Sequence, residues 1–518
     1  MNHNQCPASA VHRPGLVHHG RARLRRALTY LLLFSSSFSI QSAHAQIQQA
    51  WVARYNNGIL NGTNQAVKMA LDPAGNIYVT GFSQNSLSNL GYVTVKYAPN
   101  GKQVWATRYD STNYPAATPS SFALDNSNNV VVTGNALTIK YDANGSQLWT
   151  APYDGAAIAV DSGGNSIVAG YGNGFNTAKL SPIGSNLWSA SYISPKGPAL
   201  SQALVVDSGG NAYVAGWDTY MCYPDGSYAN CYEGLLTVKY DPNGNELWIN
   251  VPQTGLGVQV ASMGIDNTAS VYLLVNTFQS PQWIITYKYS SNGSEVWTGS
   301  SIYNITPGTG LALDSSGRTV ITGEASPTAP SYPNMSYGTV GFDSNGMSLW
   351  TNYYPQVPTS INVAAAITVD QADSVYVTGY SPGTNSFNDI VTIKYDQNGR
   401  QIWLQRYSSP GNGNAAGNAI AVDNNGNVYV TGYDTTTAGG TEIVTIKYSP
   451  VTLQRRSDGT AILQAQGTPG ESFDIEASAD LLHWLDLGSV LADTNGLMQF
   501  DDTNAPAYPA RFYYTTPQ

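Results

Sequence analysis

Histidine is the first residue to weigh, because imidazole is the usual proton carrier and metal ligand near neutral pH. Of six histidines, five (His3, His12, His18, His19 and His44) precede residue 46. Residues 1–45 run from a basic stretch ending at Arg25 and Arg26, through an apolar run around Leu31–Phe34, to Ala43-His44-Ala45. That order is the pattern of an export signal, with cleavage expected before Gln46. The apolar run is too short and too rich in serine to span a membrane. The mature chain is then expected to keep one histidine, His483, beside Trp484. A single imidazole cannot build a multi-histidine zinc or iron site. A Ser-His-Asp or Cys-His machine would depend on that residue alone, which reads as surface. Neither a metal nor a cofactor is expected.

Cysteine and aromatic residues are the next chemistry-bearing group. Cys6 leaves with the signal, and Cys222 and Cys231 remain, nine residues apart. In an exported chain such a pair is expected to form a disulfide. The same stretch, 216–234, concentrates Trp217, Tyr220, Tyr223, Tyr228 and Tyr232. Aromatics combine an apolar body with a polar handle and suit partner surfaces. These five are the candidate ligand-binding residues, and the disulfide would lower the entropy cost of presenting them. The competing reading is a loop that packs its aromatics on its own support. Five carboxylates, Asp218, Glu233, Asp389, Asp434 and Glu442, fall in long connecting segments. Two of them converging could serve a lyase or a hydrolase.

Charge narrows the partners. Five arginines and no acid precede residue 46, so of 23 Lys+Arg and 33 Asp+Glu the mature chain keeps a net charge of −15. That disfavours nucleic acid, which needs a basic surface, and anionic membranes. It favours solubility, and a monomer without membrane insertion is expected.

The elements that would hold these residues repeat. One unit reads Ala70-Leu71-Asp72, a turn, then Asn76 to Gly81; after a loop come Val93–Tyr97, a turn at Asn100-Gly101, and Val104–Tyr109 around Trp105. The first half recurs with Asp at 72, 125, 161, 207, 266, 314, 370 and 423, and the second with Trp at 105, 149, 188, 248, 297, 350 and 403. Four alternating β-branched or aromatic runs per unit of about 50 residues mean four-stranded propeller blades. The eighth tryptophan, Trp51, precedes the first unit, and the last unit stops at Tyr448 without an outer strand. Trp51–Tyr55 is therefore expected to pair beside Ile443–Tyr448 and close the ring, which removes the open edge. The Asp-led turns read as side chains bonding nearby backbone N–H groups, not as calcium loops, which want a bidentate glutamate. Lys96, Lys140, Lys179, Lys239, Lys288, Lys394 and Lys447 share one third-strand position. A lysine between packed blades needs a partner, and pairing with the blade aspartates is expected.

These units resemble the bacterial SBBP-type β-propeller repeat and, more distantly, NHL repeats. The resemblance rests on the Asp-x-x-Gly-Asn-x-Tyr-Val-Thr-Gly half, the Thr-Val-Lys-Tyr-Asp-x-Asn-Gly turn and the following Leu/Val-Trp, over about residues 51–448. It implies an all-β propeller and no particular activity. The group's repeat is described as seven-bladed, whereas eight units are present here. Val275 replaces the glycine of unit five, Gly341 replaces the lysine of unit six, and unit three has the weaker turn Ser181–Gly184. The Tyr240–Trp248 segment is also similar to the tryptophan-docking repeat of eight-bladed quinoprotein dehydrogenases. No adjacent cysteine pair or calcium set accompanies it, so that oxidoreductase reading is a lesser alternative.

Residues 451–518 break the period. Short strands are expected at Ala461–Gln466, Phe473–Ala477, Trp484–Val490, Met498–Asp501 and Arg511–Thr515. They are similar to small C-terminal β-sandwich modules of secreted bacterial proteins. The expected organisation is a signal at 1–45, an eight-bladed propeller at 46–449 and a sandwich module at 450–518. In each blade the first-to-second and third-to-fourth turns are tight. The variable connections share the opposite face, where binding is expected because loops on a rigid scaffold usually carry it. The functional expectation is an exported, extracellular, cell-surface or periplasmic protein. It would bind a polysaccharide or protein partner without catalysis, the alternative being a carbohydrate-active lyase or hydrolase.

Overall fold

The computed structural model describes residues 46–170, 175–195, 197–222, 231–252, 257–278, 284–301, 305–326, 334–355, 360–384, 387–411, 413–480, 482–508 and 511–517. The export signal expected at 1–45 lies outside them. Each repeat becomes one antiparallel sheet. In blade 1, Asn64–Leu71, Ile77–Gln84, Leu90–Tyr97 and Gln103–Tyr109 pair in order. Six more four-stranded sheets follow, over 119–151, 155–192, 199–250, 258–301, 305–354 and 363–407. Blade 8 contains Ala415–Val422, Val428–Thr435 and Thr441–Arg455, and the N-terminal strand Gln46–Tyr55 pairs with the last of these. The first strand of each blade touches the first strand of the next, and Ala415–Val422 touches Asn64–Leu71, so the ring closes on itself. The architecture is an all-β, eight-bladed propeller. Two compact units are present: Gln49–Ser449, and Pro450–Gln518 together with the residues before Gln49.

The tight turns explain the repeat's aspartates. Asp72 Oδ1 accepts from the backbone N–H of Ala74 and Asn76, and Oδ2 from the Asn76 amide and the Tyr78 hydroxyl. Asp207 and Asp423 take the corresponding asparagine and tyrosine. Side chain thus replaces solvent for backbone groups that the turn leaves free.

The repeat lysines adopt two arrangements, and the residue six after the aspartate selects between them. In blades 2 and 3 that residue is Val131 or Ile167, and Lys140 and Lys179 pair directly with Asp125 and Asp161, each at 2.9 Å. Where it is tyrosine, the ring stands in the way and the ammonium rides over it, 4.7–5.5 Å from the centroid in Lys96, Lys239, Lys288, Lys394 and Lys447. There the cation–π contact joins a longer approach to the carboxylate, 4.0 Å for Lys288–Asp266 and 3.5 Å for Lys394–Asp370. Four of the seven lysines therefore lie within 4.0 Å of their blade's aspartate. Blade 6 has neither group. Arg318 meets Asp314 at 2.5 Å, and a Cβ on Gly341 would fall 2.5 Å from the Trp350 ring, which fills the lysine's place.

Blades are joined by tryptophans. Trp51, Trp105, Trp149, Trp188, Trp248, Trp297 and Trp350 each donate the indole N–H to a carbonyl in the next blade's third turn, at 2.9–3.3 Å. Trp51 does this from blade 8 to Pro99 of blade 1, so the closing strand docks by the same chemistry as the rest. The indole lies flat on the turn because that turn ends in a glycine. At Gly244 (φ +87°) a Cβ would stand 2.7 Å from the Trp188 ring.

Each first strand carries a bulge. The bulged residue alternates around the ring: apolar at Val67, Ala156, Ala261 and Ala365 in the odd blades, polar at Ser120, Gln202, Thr309 and Asn418 in the even ones. The polar ones bridge to the next first strand. Thr309 donates to the Ala364 carbonyl at 2.7 Å, Asn418 to the Ala66 carbonyl at 2.8 Å, and Gln202 accepts from the Val260 N–H at 2.8 Å. Asn418–Ala66 links blade 8 to blade 1.

The second unit is a sandwich of two sheets. Thr441–Arg455, Ala461–Gln466 and Leu497–Asp502 form one, and Leu485–Leu491, Ser472–Ser478 and Phe512–Pro517 the other. Alternate residues from both, including Leu463, Met498, Phe473, Ile475 and Tyr513, make its core. Asp502 anchors it, accepting from the Tyr513 hydroxyl at 2.9 Å and pairing with Arg511 at 2.6 Å. His483 sits in this unit, exposed, with Nδ1 2.7 Å from Asp480.

Candidate functional site

The long connections between second and third strands, and between blades, share one face. In blade 4 the described parts of the long excursion are strand rather than loop. Ala212–Cys222 and Cys231–Tyr240 continue the pairing, with Trp217 opposite Leu235 and Cys222 opposite Cys231. The antiparallel ladder runs past the repeat's usual end, so Trp217, Tyr220 and Tyr232 belong to strands. Tyr223 and Tyr228 lie outside the described residues. Trp217 is half-buried and packs on the core shared by blades 4 and 5, against a cluster containing Val258 and Val260.

The candidate carboxylates also sit in strands, and of the five only Asp434 and Glu442 come together. Asp218, Asp389 and Asp434 belong to blades 4, 7 and 8 and are buried. Each meets a tyrosine or arginine across or within a blade seam. Tyr192 of blade 3 donates to Asp218 at 3.1 Å. Arg406 pairs with Asp389 at 2.8 Å and donates to the Tyr354 hydroxyl of blade 6. The Tyr407 hydroxyl of blade 7 donates to Asp434 at 2.5 Å. Arg54, on the closing strand, reaches Asp434 at 3.3 Å and Glu442 at 3.1 Å. Asp434 and Glu442 are cross-strand neighbours, and burial with Asp434 nearby pushes the Glu442 carboxyl up despite Asn56 and Arg54. This cluster ties the ring's two ends together; it is a latch. Glu233 is half-buried, and burial alone raises its carboxyl.

Sequence reasoning missed a different set. In every blade but the fifth, where Val275 stands, the second strand carries the repeat glycine facing the bulge; a Cβ on Gly81 would fall 2.0 Å from the Gln65 carbonyl oxygen, and one on Gly432 1.8 Å from that of Ala416. The next residue therefore has a fixed place around the axis at the long-connection end. It is Phe82, Asn135, Trp217, Asn276, Glu324, Tyr380 and Tyr433 in blades 1, 2, 4, 5, 6, 7 and 8. Glu324, Tyr380, Tyr433 and Phe82 form a continuous arc over blades 6, 7, 8 and 1, all half-buried. Tyr380 is close enough to both Glu324 and Tyr433 that, with burial as the main cause, they raise its pKa. Burial alone raises Glu324. The signal was present in the sequence as the residue after each Thr-Gly or Ala-Gly. The loops add Tyr114, Phe278 and Phe387, exposed by 49%, 56% and 43%.

A cleft of about 250 Å³ on blade 3 is lined by Tyr153 and Asp154, from the segment leading into that blade, and by Asn176, Ser189 and Ser191 among others. It has room for one sugar ring, and Asp154 is its one acidic lining residue. Among the described residues no group of three or more His, Cys, Asp or Glu could hold a metal ion, and no helix is long and apolar enough to cross a membrane.

Eight closed four-stranded blades with tryptophan-docked turns define a β-propeller. A family model described as an SBBP β-propeller repeat matches residues 402–433, from the outer strand of blade 7 through the second strand of blade 8. That stretch is thus similar to the SBBP β-propeller repeat, which the other blades echo in pattern. No curated protein matches it. Among solved structures it is similar to Sqt1 from Chaetomium thermophilum, at 9% identity over 77% of this chain and 99% of that one, with a TM-score of 0.50. A protein of unknown function from Dyadobacter fermentans (10% identity, 78% and 99% covered, TM-score 0.37) is also similar. So is a gluconolactonase from Xanthomonas campestris (11% identity, 74% and 97% covered, TM-score 0.32). Such likenesses concern the fold alone.

Proposed function

We propose that this is an exported, non-catalytic binding protein that holds a polysaccharide on its long-connection face. The observation that carries the reading is a division of labour on that face. The candidate carboxylates are committed to structural contacts, Asp218 and Asp389 singly at seams and the adjacent Asp434 and Glu442 to Arg54 and Tyr407 of the closing latch. The aromatics of the Phe82–Tyr380–Tyr433 arc stay half-buried, not fully enclosed, on paired strands. Hydrolysis of a glycosidic bond normally needs two carboxyl groups about 5–10 Å apart, and the cleft beside Tyr153 offers Asp154 alone. Aromatic faces with scattered hydroxyls and amides suit a neutral sugar chain, which needs no basic surface. Export accords with the N-terminal pattern of charge and apolarity. The opposed Cα positions of Cys222 and Cys231 favour a disulfide at the neck of the blade 4 hairpin, since directly paired strand residues lie within bridging range.

The test is a panel of soluble polysaccharides read simultaneously for saturable binding and for new reducing ends. Binding without product is expected, weakened at least about tenfold (about 1.4 kcal/mol) by the Tyr380→Ala/Tyr433→Ala double variant. Turnover of any panel member refutes the non-catalytic reading. A folded protein that binds none of them refutes the polysaccharide.

A further inference from the structure

The eight first strands, which surround the axis, carry one charged residue, Lys68. It comes directly after the bulge at Val67. The corresponding residue is Ala, Ser or Gly in the other seven blades, from Ser121 in blade 2 to Ala419 in blade 8. One edge of the Lys68 strand is bonded to Ile77–Gln84, and its sides pack on blade 8 and on Pro119–Leu124 of blade 2. Lys68 is nonetheless exposed, while the rest of its strand is buried or half-buried. The remaining open side is the axis, so the ammonium stands in the axial channel.

This lysine differs from the repeat lysines, which have carboxylate or ring partners. Among the described residues no carboxylate pairs with Lys68. Burial pulls its pKa down, and no acid raises it back. A cation partly stripped of water and without a counter-charge attracts an anion. The small residues at its level leave the space such a guest would fill. One point charge matches one carboxylate; a phosphate site would need several convergent donors. Lys68 pairs with Thr80, two residues along the strand from Phe82. A carboxylate that carries a ring could therefore hold the ring at the level of the aromatic arc.

We propose that the axial channel is a binding site for a small carboxylate, held by the Lys68 ammonium and accommodated by the small residues of the other seven blades. Its anchor, Lys68, is separate from Tyr380 and Tyr433, whose replacement tests the polysaccharide reading. The probes are acetate, D-glucuronate and benzoate, titrated calorimetrically into the full mature chain at pH 7 and low ionic strength, where an exposed charge is least screened. Saturable binding of D-glucuronate or benzoate is expected, at least about tenfold weaker in Lys68→Met and retained in Lys68→Arg. Absence of saturable binding by all three probes overturns the proposal, as does unchanged affinity in a folded Lys68→Met. Should that variant not fold, a bromide soak of wild-type crystals decides. An anomalous peak beside Lys68 Nζ supports the site, and none there overturns it.

Discussion

Replacing Lys140 with methionine tests the two arrangements of the repeat lysines. Lys140 Nζ lies 2.9 Å from Asp125, with side-chain exposures of 1% and 6%. Removing one partner of a buried pair typically costs 3–5 kcal/mol, because the other charge is left uncompensated. Asp125 would keep bonds from Ser127 N–H, Asn129 N–H and the Asn129 amide, so the lower end, about 3 kcal/mol, is expected. Lys96→Met is the comparison. Lys96 rides 4.8 Å above Tyr78, whose hydroxyl already serves Asp72, so losing a cation–π contact should cost about 1 kcal/mol. With an unfolding entropy of about 2.1 cal/mol/K per residue over roughly 400 residues, these become Tm losses of about 3–4 °C and about 1 °C. The sign of the pH dependence follows from Asp125. Burial pushes its carboxyl up, but Lys140 and Asn129 outweigh that and hold it below the ordinary range. A depressed folded pKa contributes stability above the unfolded value, near 3.9, and loses it as pH falls through the folded value. The deficit of Lys140→Met should therefore be full at pH 7 and shrink on acidification. Calorimetric scans of both variants from pH 7 to about 3.5 measure it. Equal losses in the two variants, or a Lys140→Met deficit independent of pH, would refute the reasoning.

Gly244→Ala, with φ +87° and a Cβ 2.7 Å from Trp188, should cost about 3 kcal/mol from combined backbone strain and overpacking. Gly75→Ala, with φ +79° and its nearest atom at 3.6 Å, should cost about 1 kcal/mol; thermal unfolding with tryptophan emission compares them. Glu324→Gln should raise Tm at pH 8 and leave it unchanged near pH 4. Its raised folded pKa means that stability falls as pH rises through that value, and the amide removes the penalty; a gain independent of pH contradicts this. Intact mass after iodoacetamide treatment without reductant should show no adduct on Cys222 or Cys231, and two after reduction.

Much of the fold was legible because the repeat makes the same statement eight times. Aspartate turns, strand alternation and the tryptophan period gave blade count, and an unmatched Trp51 against an unfinished last unit gave the closure. Lysine–aspartate pairing followed from strand alternation plus the cost of burying a charge. The two forms that pairing takes were also written in the chain, as valine or isoleucine against tyrosine six residues after the aspartate. Their meaning depends on where a ring lies between two charges, and spacing along the chain does not show that.

The candidate site was less legible. Asp218, Asp389 and Asp434 read as free loop carboxylates until the seams brought Tyr192, Arg406, Tyr407 and Arg54 to them. Arg54 and Asp434 are 380 residues apart in sequence, and only ring closure makes them neighbours. The Phe82–Glu324–Tyr380–Tyr433 arc and Lys68 became visible once the bulges fixed which side chains face the axis. Sequence by itself determined the strands, turns, blade number and closing partner, because those rest on local period and backbone chemistry. Tertiary structure decided which charges are spent and which aromatics and lysine remain available, because partnership is a matter of distance between residues that the chain keeps far apart.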